Sequence, residues 1–144
     1  MYGLPSQLKR ISPAEEQVML ALWTCGAPAC RADIARFLPL PESGERWAES
    51  TLLNFLYRLE AKGWVKAGRI ANRNLYTPAV SRRAYGVAVM RERTATIFGG
   101  SLPDAVSALV SESGAGQATL EKARAVLDEK IASAEQYDFY DPYG

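Results

Sequence analysis

Hydrophobic residues recur along most of this chain with the period of a helix, and in one stretch they do so on two faces at once. In "WAESTLLNFLYRLEAKGWV", Trp47 to Val65, the residues Leu52, Phe55, Leu56 and Leu59 follow the i, i+3, i+4, i+7 spacing of a helix face turned to a core. Ser50, Leu53, Asn54 and Tyr57 repeat that spacing on another face. Leu53 and Tyr57 are large for a surface that meets only water, so a second partner is expected there.

Two helices are expected before this one. "ISPAEEQVMLALW" offers Ser12 as N-cap, Pro13 in the first helical position, Glu15 to complete a capping box and Ile11 as a hydrophobic staple. Val18, Met19, Leu22 and Trp23 form its buried stripe, and Gly26 ends it. A shorter helix runs from Arg31 to Leu38, with Ile34, Phe37 and Leu38 inward and Pro39 and Pro41 as its stop. "PESGER" then reads as a polar turn. The helix of the opening stretch starts near Ala48 and ends before Gly63, which suits a left-handed position, with Trp64 covering the last turn.

The period changes at "WVKAGRIANRNLYTP", where alternating runs, Val65 to Arg69 and Asn74 to Thr77, flank the turn "IANR" and predict a β-hairpin. Three helices followed by a hairpin make a winged helix. In that arrangement the second helix of the helix-turn-helix pair enters the DNA major groove, and the stretch from Trp47 holds that place.

Beyond Pro78 the pattern is helical again but thinly apolar. Ser81 caps a helix to Phe98 that carries Tyr85, Val89, Met90, Thr94 and Ile97 along one side, while Arg82 and Arg83 oppose the helix dipole at its start. Gly99 and Gly100 break the chain, and "SLPD" starts another helix with Ser101 as cap and Asp104 as its N3 acid. "SESGAGQ" is a joint, and a last helix, Leu120 to about Ala134, carries Leu120, Ala123, Leu127, Ile131 and Ala134 as a narrow stripe. Stripes this thin are buried most economically against a second copy of the chain. The tail "QYDFYDPYG" is acidic and aromatic, and reads as disordered or as a docking peptide. The expected fold class is mostly α with a small β-hairpin: a winged-helix DNA-binding domain over residues 1–80 and a helical dimerisation domain over residues 81–144.

Composition narrows the function. The chain of 144 residues contains no histidine, which excludes Ser/His/Asp and Cys/His nucleophilic sites and H-E-x-x-H metal sites. It also lacks a Walker-type loop and a strand-linked G-x-G-x-x-G, so neither catalysis nor a cofactor is expected. Cys25 and Cys30 are too few for a disulfide framework and, without histidine, do not complete a zinc site; reduced structural thiols are expected. No apolar run reaches the roughly 18 residues of a membrane span, and "MYGLPSQLKR" lacks the apolar core of a secretory signal, so a cytoplasmic protein is expected. The net charge of +1 hides an asymmetry: residues 1–85 hold 12 Lys/Arg against 7 Asp/Glu, and residues 86–144 hold 5 against 9. The two halves are therefore expected to meet different partners.

The blocks "ISPAEEQVMLALW", "DIARFL", "WAESTLLNFLYRLEAKGWV", "RNLYTPAVSRRAY" and "FGGS", taken in order over about residues 11 to 131, resemble the penicillinase-repressor family, the BlaI/MecI/CopY group of bacterial repressors. The resemblance implies a homodimer whose C-terminal helices form the dimer and whose two winged helices bind an inverted-repeat operator in double-stranded DNA. It also implies a membrane sensor-protease as antirepressor, cutting within the dimerisation region at a bond that maps to Ala108 and Leu109, where the family pattern has Asn and Phe. In the reading helix the family has Lys or Arg where Leu53 stands and commonly Thr where Asn54 stands. The paired C-x-C motif of the copper-responsive branch has no counterpart here.

With the second face in a major groove, Asn54 offers a bidentate amide to adenine, Leu53 covers a thymine methyl, and Ser50, Thr51 and Tyr57 complete the base-reading set. Arg58, Lys62, Arg69, Asn72 and Arg73 supply sequence-independent phosphate contacts. Tyr85, Val89, Met90, Ile97, Phe98, Val106, Leu109, Leu120, Leu127 and Ile131 are the expected dimerisation residues. Two other readings stand beside this one: a winged-helix module that presents Leu53 and Tyr57 to another protein, and a regulator in which Cys25 and Cys30 respond to thiol chemistry.

Overall fold

A computed structural model describes residues 8–39 and 47–135. The expected turn "PESGER" with Pro41, and the tail from Gln136, lie outside the described residues.

Helix α1 (Pro13–Cys25) begins with the expected capping box: the Glu15 amide donates to Ser12 Oγ at 3.2 Å, and the Ser12 amide donates to Glu15 Oε1 at 2.8 Å. Gly26 ends it at φ 85°. Helix α2 (Arg31–Ala35) is shorter than its sequence suggests. The amides of Phe37 and Leu38 bond three residues back, to Ile34 and Ala35, so the chain tightens and leaves the helical phase. Ile34 is fully buried and Leu38 half-buried, but Phe37 points outward, correcting its assignment to the inner face.

Helix α3 (Glu49–Ala61) turns Leu52, Leu56 and Leu59 into the core, with Phe55 at the margin against Trp47. Its end is a complete Schellman motif: the Gly63 amide donates to Glu60 O and the Trp64 amide to Leu59 O, with Gly63 at φ 87°. That reversal drives Trp64 into the core, where it is fully buried and its Nε1–H donates to Lys9 O at 2.7 Å.

Strands β1 (Val65–Ile70) and β2 (Arg73–Pro78) form the antiparallel wing, in register Val65 to Pro78 through Ile70 to Arg73. The turn is therefore tighter than "IANR": only Ala71 and Asn72 are unpaired, both at positive φ as a two-residue hairpin loop needs. A third short pairing joins the wing to the helices, because Ala29 exchanges both backbone hydrogen bonds with Tyr76, at 3.0 and 2.8 Å.

Helix α4 (Arg82–Ile97) is capped by Ser81, whose Oγ accepts from the Ala84 amide. Helix α5 (Leu102–Glu112) is capped by Ser101, and α6 (Gln117–Glu135) starts one turn before Leu120. The chain divides into two compact units, one through Arg93 and one from Thr94. The core of the first unit joins Val18, Met19, Leu22, Ile34, Leu52, Leu56, Leu59, Trp64, Tyr76 and Tyr85. In the second unit, Ala105 alone among the described residues is buried.

One charge sits inside the first core. Glu15 is 2% exposed, and Lys62 Nζ donates to its Oε1 at 2.6 Å. Burial alone would raise the carboxyl's pKa, but the bonds from Lys62 and Ser12 outweigh it and hold the group below its ordinary value. A depressed native pKa contributes stability that is present above the ordinary carboxylate range and is lost as pH falls through the native value.

Replacing Lys62→Met is expected to cost about 3 kcal/mol at neutral pH, because the buried carboxylate loses its cation. It also reverses the sign of Glu15's contribution: with burial now dominant the native pKa rises, so acidification should protect the variant relative to the parent. Denaturant melts of both proteins between pH 7 and pH 4 would show the two stabilities converging; parallel curves would refute the assignment.

Candidate nucleic-acid interface

The outer face of α3 is open. Ser50, Thr51, Leu53, Asn54 and Tyr57 are all exposed, Tyr57 to 73% and Leu53 to 37%. None of them belongs to the core cluster, so the fold leaves this face to something else. The core-facing positions and the open ones alternate as the helical period requires, which follows from α3 packing by the Leu52, Leu56 and Leu59 stripe alone.

Cations flank this face unevenly. Arg69 and Arg73 stand on the wing with Asn72 between them in the turn, all three exposed and, among the described residues, without an ion-paired acid. Arg58 is exposed too, its guanidinium 5.3 Å from the Phe55 ring centroid, a contact that orients it without neutralising it. Lys62 is different. Its ammonium is paired with Glu15 at 2.6 Å and its side chain is 27% exposed, so a phosphate would have to compete with that pair for it.

Between α2, α3 and β2 lies a groove of about 270 Å3, lined by Cys30, Arg31, Ala32, Leu53, Arg73, Asn74 and Tyr76. Sequence patterning does not single out Arg31 or Asn74. Arg31 Nε meets Glu49 Oε1 at 3.2 Å, across the segment that separates α2 from α3. Asp33 accepts from the Cys30 amide at 3.3 Å and from its thiol at 3.1 Å; these bonds, thiol first, hold the carboxyl below its ordinary pKa, with Arg36 and Arg73 adding to the effect. Cys25 is pushed up, by burial first and then by the Asp33 charge, so its thiol stays protonated. Both thiols are free, and no group of residues able to hold a metal ion occurs among the described residues.

The expected dimerisation residues separate into two groups. Tyr85 lies in the first unit's core at 8% exposure, between the rings of Trp23 and Trp64, with its hydroxyl donating to Glu16. Burial, and then Glu16, raises its pKa far above the ordinary phenol value. Val89 is half-buried against the same core, so of the two Tyr85 is the one the first unit covers. By contrast Met90, Ile97, Leu109, Leu127 and Ile131 are exposed, and Phe98, Val106 and Leu120 are half-buried. Leu102, Val110 and Val126 add exposed apolar surface that the pattern did not assign. Ala108 and Leu109 sit inside α5, so an enzyme that reads an extended chain would have to unwind this helix to reach the bond.

A helix-turn-helix completed by a hairpin wing, with the open face on the second helix, defines the winged-helix class of regulatory proteins. Within that class a model of the penicillinase repressor family matches residues 11–129, and the chain belongs to that family. The family is one of transcriptional repressors and not of enzymes. No curated protein matches the chain. Among the described residues no helix is long and apolar enough to cross a membrane.

Substitution tests whether the fold uses the outer face. Leu53→Ser and Tyr57→Ser are each expected to change unfolding free energy by less than about 0.5 kcal/mol, while Leu56→Ala should cost about 2–5 kcal/mol. Comparable losses at Leu53 and Leu56 in denaturant titrations would mean that both faces are structural.

Proposed function

We propose that the protein is a homodimeric repressor that binds an inverted-repeat operator in double-stranded DNA through its winged helix. The observation that carries this reading is the open face of α3, Ser50, Leu53, Asn54 and Tyr57, set beside the unpaired wing cations Arg69 and Arg73. Asn54 reads adenine through its amide, and Leu53 covers a thymine methyl. Arg58, Arg69, Asn72 and Arg73 hold the backbone. Where other family members place a cation in the reading helix this chain places Leu53, so a different operator is expected.

Dimerisation rests on the second unit. A segment whose described residues bury only Ala105, while Leu102, Leu109, Val126, Leu127 and Ile131 stand exposed, does not offset the entropy of ordering its helices by itself. A second copy presenting the same surfaces removes that area from water under two-fold symmetry. The division of labour follows residues 1–80 for DNA and residues 81–144 for the dimer, with the start of α4 shared, since Tyr85 belongs to the first core.

Selection from a random DNA library with the purified protein tests the whole reading. Recovery of a palindrome with half-sites about 10 base pairs apart, or a multiple, is expected. Arg73→Ala should weaken binding to all sequences about equally and reduce the salt slope, whereas Asn54→Ala should change preference at one base position per half-site. Leu127→Asp with Ile131→Asp should give a monomer by sedimentation, with operator affinity reduced at least tenfold. No selected sequence at low salt would instead favour a protein-binding role for the Leu53 and Tyr57 patch.

A further inference from the structure

The groove beside the α3 face has a chemistry that the reading face lacks. It is lined by two arginines, Arg31 from the first turn of α2 and Arg73 from the wing, together with Asn74 of β2 and the apolar Leu53 and Tyr76. Leu53 belongs to the proposed base-reading set, so the groove is continuous with the proposed interface and not a separate pocket. Its cations come from elements far apart in sequence, brought together by the Ala29 and Tyr76 bridge that ties the start of α2 to the wing.

Resting on the DNA-binding reading, we propose that this groove is a clamp for one backbone phosphate of the operator, with Arg31 as a contact residue and Glu49 as its restraint. Charge complementarity selects the occupant: two arginines line one groove and suit a phosphate, and the apolar residues that line it beside them suit the sugar or thymine methyl next to it. Two acids lie nearby. Asp33 accepts from the Cys30 amide and thiol, and its charge also acts on Arg73, so it offsets part of the groove's positive charge. Glu49 holds Arg31 at 3.2 Å, but the Glu49 side chain is largely exposed, and an exposed pair of this kind contributes little in water. A phosphate draws Arg31 away from Glu49 at small cost, while in free protein Glu49 holds the guanidinium. Arg31 would thus add to affinity on any sequence, and Glu49 would oppose it by competing for the guanidinium.

The test is a salt titration of the full-length protein on a duplex carrying the selected palindrome and on a scrambled duplex, with melting temperatures measured alongside. Arg31→Ala is expected to lower the slope of log K against log salt by about 0.9 for each reading head engaged, and to weaken binding near 0.1 M salt by about eightfold per head on both duplexes. Arg31→Lys should keep the slope, since one positive charge still meets the phosphate. Glu49→Gln should tighten binding by about two- to threefold on both duplexes.

The Glu49→Gln direction separates a clamp from a strut. If the pair serves only to brace α2 against α3, Glu49→Gln weakens binding and lowers the melting temperature together with Arg31→Ala, and the proposal is overturned. An unchanged salt slope in Arg31→Ala, with the parent binding normally, overturns the clamp and leaves the DNA-binding reading intact. Absence of DNA binding by the parent removes both.

Discussion

The turn at Lys62, Gly63 and Trp64 governs the rest of the first unit. The Schellman bonds from Gly63 to Glu60 and from Trp64 to Leu59 close α3, and they also reverse the chain so that Trp64 enters the core and β1 leaves for the wing. Trp64 then meets Tyr85 edge-on with ring centroids 5.4 Å apart, and its carbonyl accepts from the Ala79 amide. Lys62, the first residue of the turn, reaches back to Glu15 in the capping box of α1. These contacts set the rotation of α3 about its own axis. With that rotation set, Leu52, Leu56 and Leu59 point inward and Ser50, Leu53, Asn54 and Tyr57 cannot. Only glycine suits the pivot, because φ is 87° there and an added Cβ would meet the Leu8 side chain at 3.1 Å.

The parts of this unit legible in the sequence are those decided by neighbours in the chain. The Ser12 and Glu15 box, the two faces of α3, the Gly63 stop and the Ser81 and Ser101 caps each depend on residues within about one or two helical turns. What was not legible depends on residues far apart. Lys62 resembles any basic residue at a helix end, and only the fold reveals Glu15 beneath it, 47 positions away. Phe37 fits a helical stripe until the chain tightens after Ala35. Tyr85 fits the apolar side of α4 and was therefore assigned to a partner, but Trp23 and Trp64 are the rings that cover it. Arg31 and Asn74 carried no periodic signal at all, since their significance comes from the groove they share.

The second unit inverts the balance of the first. Its helices have sound local chemistry, with Ser101 capping α5 and an i, i+4 pair of Arg124 and Asp128 on α6, yet exposed pairs of that kind contribute only tenths of a kcal/mol. Local signals thus specify helices here without specifying what they pack against. A surface that is apolar at Leu109, Leu127 and Ile131 and acidic in overall balance is suited to self-association and unsuited to a polyanion. The charge asymmetry read from the sequence and the burial asymmetry seen in the fold both separate the first unit from the second.

That division bears on how the proposed interface would discriminate. A reading face composed of Ser50, Leu53, Asn54 and Tyr57 carries no formal charge, so it gains little from phosphates and must act through hydrogen bonds and apolar contact with base edges. Attraction to DNA is then delegated to the wing, Arg58 and the groove, whose contacts are the same on every sequence. Moving the cation out of the reading helix separates the two contributions. Salt weakens the sequence-independent part and leaves the direct readout nearly untouched, so the ratio of specific to non-specific affinity depends less on ionic strength than it would with a lysine at position 53. In the proposed interface, Leu53 in place of a cation would therefore alter how selectivity responds to salt as well as which bases are preferred.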